Sequence, residues 1–194
     1  PMAVDTVADI IDLIGFGIIV PILPFYAESY GASATVLGLI LMCYSGMQFI
    51  FSPLWGKLSD RWGRKTVLMI TMGGTAFALI LLSQATSLWM IFAARLLGGA
   101  FSGNISVAVA FVTDITSEQN RTKAMGLIGV SFGIGFILGP ALGGGLAPYG
   151  YGVPILVAGV LNLINILYAG VILREPPRHK PPVDVIEPAV LSHP

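Results

Sequence analysis

Six apolar stretches, each long enough to cross a lipid bilayer, divide this chain almost from end to end. A hydrocarbon core about 30 Å thick takes on the order of 20 apolar residues in a helix. The stretches run over 7–27, 35–55, 66–84, 88–110, 124–146 and 153–173. Strands fit them poorly, because the runs are too long and lack sustained alternation. Only 10% of the residues are charged while 55% are hydrophobic, and the mean hydropathy is +0.85. No water-exposed surface can be built from that mixture, so lipid must be the main solvent. The expected fold class is an all-α membrane protein with six transmembrane helices, residues 1–175 forming one bundle.

Charge then sets orientation. Lys57, Arg61, Arg64 and Lys65 follow the second stretch, Arg121 and Lys123 the fourth, and Arg174, Arg178 and Lys180 the sixth. The other connections, 27–34, 84–87 and 147–152, carry no Lys or Arg, and Arg95 lies inside a stretch. Under the positive-inside rule both ends of a multi-pass chain are then cytoplasmic, in an inner or plasma membrane. Zero formal net charge gives no reason to expect nucleic acid as a partner. The segment 176–194 is rich in proline and reads as a cytoplasmic linker or tail. Both histidines, His179 and His193, fall in it, and the single cysteine, Cys43, sits in an apolar run. No metal, cofactor or enzyme chemistry is expected from such a set. The chain begins at Pro1 with no cleavable signal ahead of its first apolar stretch, so this boundary is expected to be a cut.

Four places carry chemistry. The first is Gly56-Lys57-Leu58-Ser59-Asp60-Arg61-Trp62-Gly63-Arg64-Lys65, between the second and third stretches. Its glycines allow a tight reversal, and an acid among bases can form an ion-pair latch, although the charges could equally serve topology alone. The second is the fifth stretch, where Gly135, Gly139 and Gly143 share one helix face beside Pro140 and Gly144. Such a face lets another helix approach closely, as ordinary packing also would. The third is Arg95, which must face protein or a wet cavity. Residues 95, 99, 102, 106 and 110 read Arg, Gly, Ser, Ser, Ala, a small polar stripe suited to a cavity wall. An arginine pinning two helices through carbonyls is the other reading. The fourth is the first stretch, with Asp5, Asp9 and Asp12 on one face, followed by Gly15-Phe16-Gly17 and Pro21-Ile22-Leu23-Pro24. Asp12 is the deepest, and an acid held there is suited to exchanging a proton, while Asp9 is expected to reach the interface.

Together these motifs resemble the major facilitator superfamily. The 56–65 segment is similar to the G-x-L-x-D-R-x-G-R-K signature of that family, and 135–144 resembles the antiporter motif of its drug exporters. The resemblance covers about residues 10–175, and within the family it is nearest to tetracycline-type drug:proton antiporters. It implies an amino-terminal six-helix half made of two three-helix inverted repeats. It also implies proton-coupled export of a small amphipathic compound, with Asp12 and Arg95 in proton coupling. Gly56, Asp60, Arg61, Gly63 and Arg64 would form a cytoplasmic gate, with Asp114 as an ion-pair partner of Arg64. Two departures are visible. Tetracycline exporters carry an acid midway along the third span, where Thr75-Ala76-Phe77-Ala78-Leu79 has none, and the family has twelve spans.

Depth sorts the cavity candidates. At about 1.5 Å per residue, Asp12 lies roughly 8 Å above one boundary and Arg95 roughly 10 Å below the other, about 12 Å apart vertically. A direct salt bridge is not expected. Gly17, Tyr44 and Asn162 count as level with Arg95, and Gln48 and Asn104 as level with Asp12; Phe16 and Phe101 are further candidates. With one half only, the faces carrying Arg95 and Gly135–Gly143 are expected to lack a partner, which a carboxy-terminal half or a second copy would supply. Gly129-Val130-Ser131-Phe132-Gly133 matches a nucleophile pattern but has no histidine base in the membrane. The glycosylation matches at Asn104 and Asn120 fall in the bilayer and on the cytoplasmic side. The alternatives are a proton-coupled symporter of a sugar or metabolite, or a half that only assembles with another transporter.

Overall fold

The computed structural model describes residues 2–172, without the side chains of 2–9, 115 and 118. The expected 176–194 linker, both histidines, Arg174, Arg178, Lys180 and the side chains of Asp5 and Asp9 lie outside what is described. Among the described residues the chain is helical, without strands: α1 (Met2–Ser29), α2 (Ala34–Trp62), α3 (Arg64–Ser83), α4 (Leu88–Phe101), α5 (Asn104–Ile115), α6 (Glu118–Leu146) and α7 (Gly152–Ile172). A single 3-10 turn, Ala147–Tyr149, joins α6 to α7. Six spans are long and apolar enough to cross a membrane, α4 and α5 together making the fourth. Backbone groups in hydrocarbon must be satisfied internally, and helices do this within one segment. The expected all-α bundle of six spans is the observed architecture.

Several helix ends lie a few residues from the sequence expectation, and two differences bear on the site. The second helix does not stop at 55 but continues to Trp62, so most of the signature segment is helical. The reversal is left to Gly63 alone, whose φ of 100° is a left-handed conformation that an L side chain resists. Gly56, expected to help turn the chain, lies inside α2 with open space around the position of a Cβ. The fourth span is not one helix. It breaks at Ser102 and Gly103, and α5 starts afresh at Asn104.

Short caps and turns mark the ends. Ser33 and Ser87 accept hydrogen bonds from the Val36 and Met90 amides at 3.4 Å, starting α2 and α4. Tyr26 and Tyr30, one turn apart near the end of α1, both donate to the Ala85 carbonyl, at 3.2 and 2.5 Å, and so fasten α1 to the α3–α4 connection.

The contacts follow a two-fold plan. α1 packs on α6 and α7, while α4 packs on α2 and α3, and α3 packs on α7. Exchanging spans one to three with spans four to six maps these contacts onto one another, the pattern of two three-helix repeats of opposite direction. Two apolar clusters form the core. One joins Ile18, Ile22, Leu23, Leu79, Leu82, Ile91 and Ile155. The other joins Val67, Leu68, Met72, Val107, Phe111 and Ala169. Along α3 and α7, and along the fourth span, a gap separates the clusters, and in it lie Arg95, Asn104 and Asn162. Large apolar side chains such as Phe49, Ile137 and Val171 point outward, as a lipid surrounding requires.

Candidate functional site

The polar layer between the clusters is organised around Asp12. Asn104 donates its side-chain amide to Asp12 Oδ2, and Asn162 Nδ2 donates to Asp12 Oδ1 at 2.7 Å. Both asparagines are buried. Each oxygen of the carboxylate is thereby held by an amide from a different helix, α5 or α7. A cavity of about 160 Å³ opens on one side, lined by Asp12, Phe16, Tyr44, Gln48, Arg95, Asn104 and Asn162 among others. A smaller one of about 30 Å³, lined by Leu68, Met72, Ala108, Val109 and Ile128, shares Asp12, Leu13, Asn104, Ile105 and Phe132 with it. Asp12 and Asn104 therefore stand in the wall common to both.

The helix break positions Asn104. Gly103 lies where any Cβ would strike the ring and Cβ of Trp55, so α2 runs tightly against the interruption. Three consecutive carbonyls at the break receive side-chain donors: Trp55 Nε1 to Ala100 at 2.6 Å, Thr75 Oγ1 to Phe101 at 3.5 Å and Gln48 Nε2 to Ser102 at 3.5 Å. Interrupted backbone is tolerated at membrane depth where it is buried in protein, and donors of this kind satisfy its freed carbonyls. Trp55 and Thr75 were not legible as site residues. A Ser-Gly pair in mid-span is the signal that could have marked the break.

Arg95 points into the larger cavity with 6% of its surface exposed. Its guanidinium carbon lies 3.9 Å from the centroid of the Tyr44 ring, a cation–π contact. Among the described residues no carboxylate lies within salt-bridge reach of it, and its Nε has no hydrogen-bond partner. Asp12 and Arg95 thus share one cavity while each is held by a different set of neighbours.

Four expectations about placement change. The stripe of 95, 99, 102, 106 and 110 reaches the cavity only at Arg95, because α4 and α5 are not continuous. Gly99 packs on the Tyr44 backbone and Met47, and Ser106 accepts from Ser52 Oγ at 3.2 Å, so the stripe joins span four to α2. The fourth span lines the cavity instead with Ala94, Arg95, Gly98, Asn104 and Ile105. Gly17 does not reach the cavity either. A Cβ on it would collide with the Gly135 carbonyl, and one on Gly139 would collide with the Gly17 backbone. Gly135 and Gly143 likewise meet Leu13 and Ile18 of α1, so this glycine face has its partner within the six helices. Pro140 and Gly144 point away from it and are exposed. Asn162, counted at the level of Arg95, reaches Asp12 instead.

At the α2–α3 junction Arg64 gathers three partners. Its Nη2 lies 2.8 Å from Asp60 Oδ1, its Nε donates to Asp114 Oδ2 at 2.8 Å, and its Nη1 donates to Ser59 Oγ at 2.6 Å. Lys65 Nζ donates to the Gly170 carbonyl at 2.7 Å. The junction is thus tied to the ends of α5 and α7. Arg61, in the last turn of α2, is exposed.

A model of the Major Facilitator Superfamily matches residues 7–192. The chain belongs to that superfamily. Its members are membrane transporters rather than enzymes, and this one is a multi-pass membrane protein by its six spans. Within the superfamily the chain is 36% identical over 172 residues to the class B tetracycline resistance protein of Escherichia coli, covering 87% of this chain and 43% of that protein. The class H tetracycline resistance protein of Pasteurella multocida is 34% identical, covering 86% and 42%. Multidrug resistance protein 1 of Bacillus subtilis (strain 168) is 32% identical, covering 87% and 44%. The chain thus spans less than half the length of the relatives it matches. Among solved structures, the human organic anion transporter MFSD10 (TETRAN) superposes with a TM-score of 0.81 at 29% identity, over 91% of this chain and 48% of that one.

Proposed function

We propose that this chain is one six-helix half of a transporter that exports a small amphipathic compound in exchange for protons. The observation that carries the reading is Asp12, a carboxylate inside the bundle whose two oxygens are held by Asn104 and Asn162 in the wall of a cavity that Arg95 also lines. With Asp12 ionised, the cavity charges of Asp12 and Arg95 cancel; with Asp12 protonated, the cavity is positive. A cationic amphipath therefore binds better to the ionised state, so proton and substrate displace one another. Tyr44, Gln48 and Phe16 supply aromatic and polar lining. The similarity to tetracycline and multidrug resistance proteins supports export, and the absence of an acid in Thr75–Leu79 leaves tetracycline itself without its expected anchor.

In this reading the α2–α3 junction faces the cytoplasm, as do both termini and the 176–194 linker. Asp60, Arg64 and Asp114 close that side, with Gly63 making the turn and Arg61 and Gly56 completing the motif. A second six-helix body, either a carboxy-terminal half or another copy, faces the cavity, because alternating access needs two bundles rocking about a central site.

Inverted membrane vesicles from cells producing the protein test the proposal. Adding tetraphenylphosphonium or ethidium should evoke proton movement, and Asp12→Asn should reduce it to background while membrane insertion is unchanged. Unaltered coupling in Asp12→Asn would reject Asp12, and proton flux in the same direction as the substrate would make the protein a symporter.

A further inference from the structure

Asn162 has one satisfied half and one unsatisfied half. Its Nδ2 donates to Asp12, while its Oδ1 is buried and meets no donor, in a residue only 2% exposed. Asn162 lines the larger cavity and not the smaller one, whereas Asp12 and Asn104 line both. The residue that carries the unused acceptor therefore stands against the larger cavity, where a substrate would sit. Buried polar atoms without a partner are uncommon in native structures and mark places where a ligand or water completes the set.

We infer that Asn162 is a two-position switch, able to satisfy a proton on Asp12 or a hydrogen-bond donor of the substrate, but not both. In the present position both amides donate to Asp12, which suits a carboxylate that only accepts. Once protonated, Asp12 carries an O–H that needs an acceptor. Half a turn of the Asn162 amide about its Cβ–Cγ bond brings Oδ1 to that O–H and turns the NH2 group toward the cavity. The cavity then loses an acceptor and gains a donor. A substrate whose ammonium, amine or hydroxyl donates to Oδ1 holds the amide in its first position, where a protonated Asp12 is left unsatisfied. Proton and donor-bearing substrate thus exclude one another through a single side chain, in addition to their charge repulsion. The substrate class that this geometry selects is an amphipathic amine or arylamine rather than a lipophilic ion without N–H or O–H.

The switch rests on the reading of Asp12 as the proton carrier. Other charged or titratable groups lining either cavity are Arg95 of α4 and Tyr44 of α2; the cavity walls from α3, α6 and α7 contribute none among the described residues.

Two monovalent cations separate the switch from simple charge. Ethidium carries aromatic amino donors, and tetraphenylphosphonium carries none. With the whole transporter, this chain together with its second six-helix body, in lipid nanodiscs, the apparent affinity for both should fall as pH is lowered, with a limit of roughly tenfold per pH unit for one linked proton. Ethidium should fall more steeply than tetraphenylphosphonium. Asn162→Leu should reduce the ethidium slope to that of tetraphenylphosphonium and leave the latter unchanged. Asn162→Thr, a polar replacement whose hydroxyl donates and accepts at once, should do the same if the leucine variant does not fold. Equal slopes in the unaltered chain, an excess slope that survives in these variants, or no ethidium binding would overturn the switch. Asp12→Asn separates the two ideas: if it leaves both slopes intact, the reading of Asp12 itself falls. If it abolishes them while the Asn162 variants do not, only the switch falls.

Discussion

The crossings of α1 with α6 and of α2 with the fourth span occupy equivalent places in the two-fold plan, yet they differ in how much side chain enters them. In the first, Gly17, Gly135 and Gly139 bring backbone against backbone. In the second, Gly99 receives the Tyr44 backbone and the Met47 side chain, Gly103 receives Trp55, and hydrogen bonds from Gln48 and Trp55 meet the carbonyls of an interrupted helix. The difference teaches that one helix pairing can serve two ends. Bare backbone at Gly17 and Gly139 sets α1 close against α6, with Asp12 on the same helix little more than a turn away. A crossing rich in side chains can accept a break, and the break is what presents Asn104 to Asp12.

The contrast is most severely tested at Gly139. Gly139→Leu should remove about 3 kcal/mol or more, since the atoms it meets are backbone and no rotamer change clears them. Unfolding in mixed detergent would measure this, and a near-neutral result would mean that α1 and α6 stand further apart. At the other crossing Trp55→Phe keeps an aromatic ring, though a smaller one, and deletes the donor to Ala100. A loss of about 1–3 kcal/mol is expected for a carbonyl left unsatisfied, smaller than at Gly139 because no backbone is forced apart.

Two milder substitutions sharpen the comparison. Gly144→Ala, on the side of α6 away from α1, meets nothing within 4 Å in this chain. It should stabilise the six helices by up to about 1 kcal/mol through helix propensity, and a loss seen only in the assembled transporter would locate a second body there. Ser52→Ala removes a single exposed hydrogen bond to Ser106, and thermal unfolding should register no more than about 0.6 kcal/mol.

Much of the fold was legible. Six apolar runs have few ways to satisfy their backbone in lipid, so helices across a bilayer follow from length and composition. The pairing of Arg64 with Asp114 could be anticipated because both lie at the same end of neighbouring spans, and the two are 2.8 Å apart. Asn162 was misplaced because counting residues from estimated boundaries treats helices as straight and parallel, while packed helices cross at angles. The glycine face of α6 was visible as a face, but spacing along one helix does not name the helix it meets. The break at Ser102 and Gly103 was hidden for a similar reason. Small residues are common in membrane helices, and only the donors on α2 and α3 make an interruption affordable.

The sequence by itself determined the solvent, the number of spans, their alternating direction and the superfamily, because hydropathy and short-range motifs act along the chain. Tertiary structure alone decided which polar residues converge. Asp12, Asn104 and Asn162 are separated by up to 150 positions, and their hydrogen bonds depend on the packing of α1 against α7 and on a broken span. Convergence of that kind is set by packing, whose contacts no local pattern records.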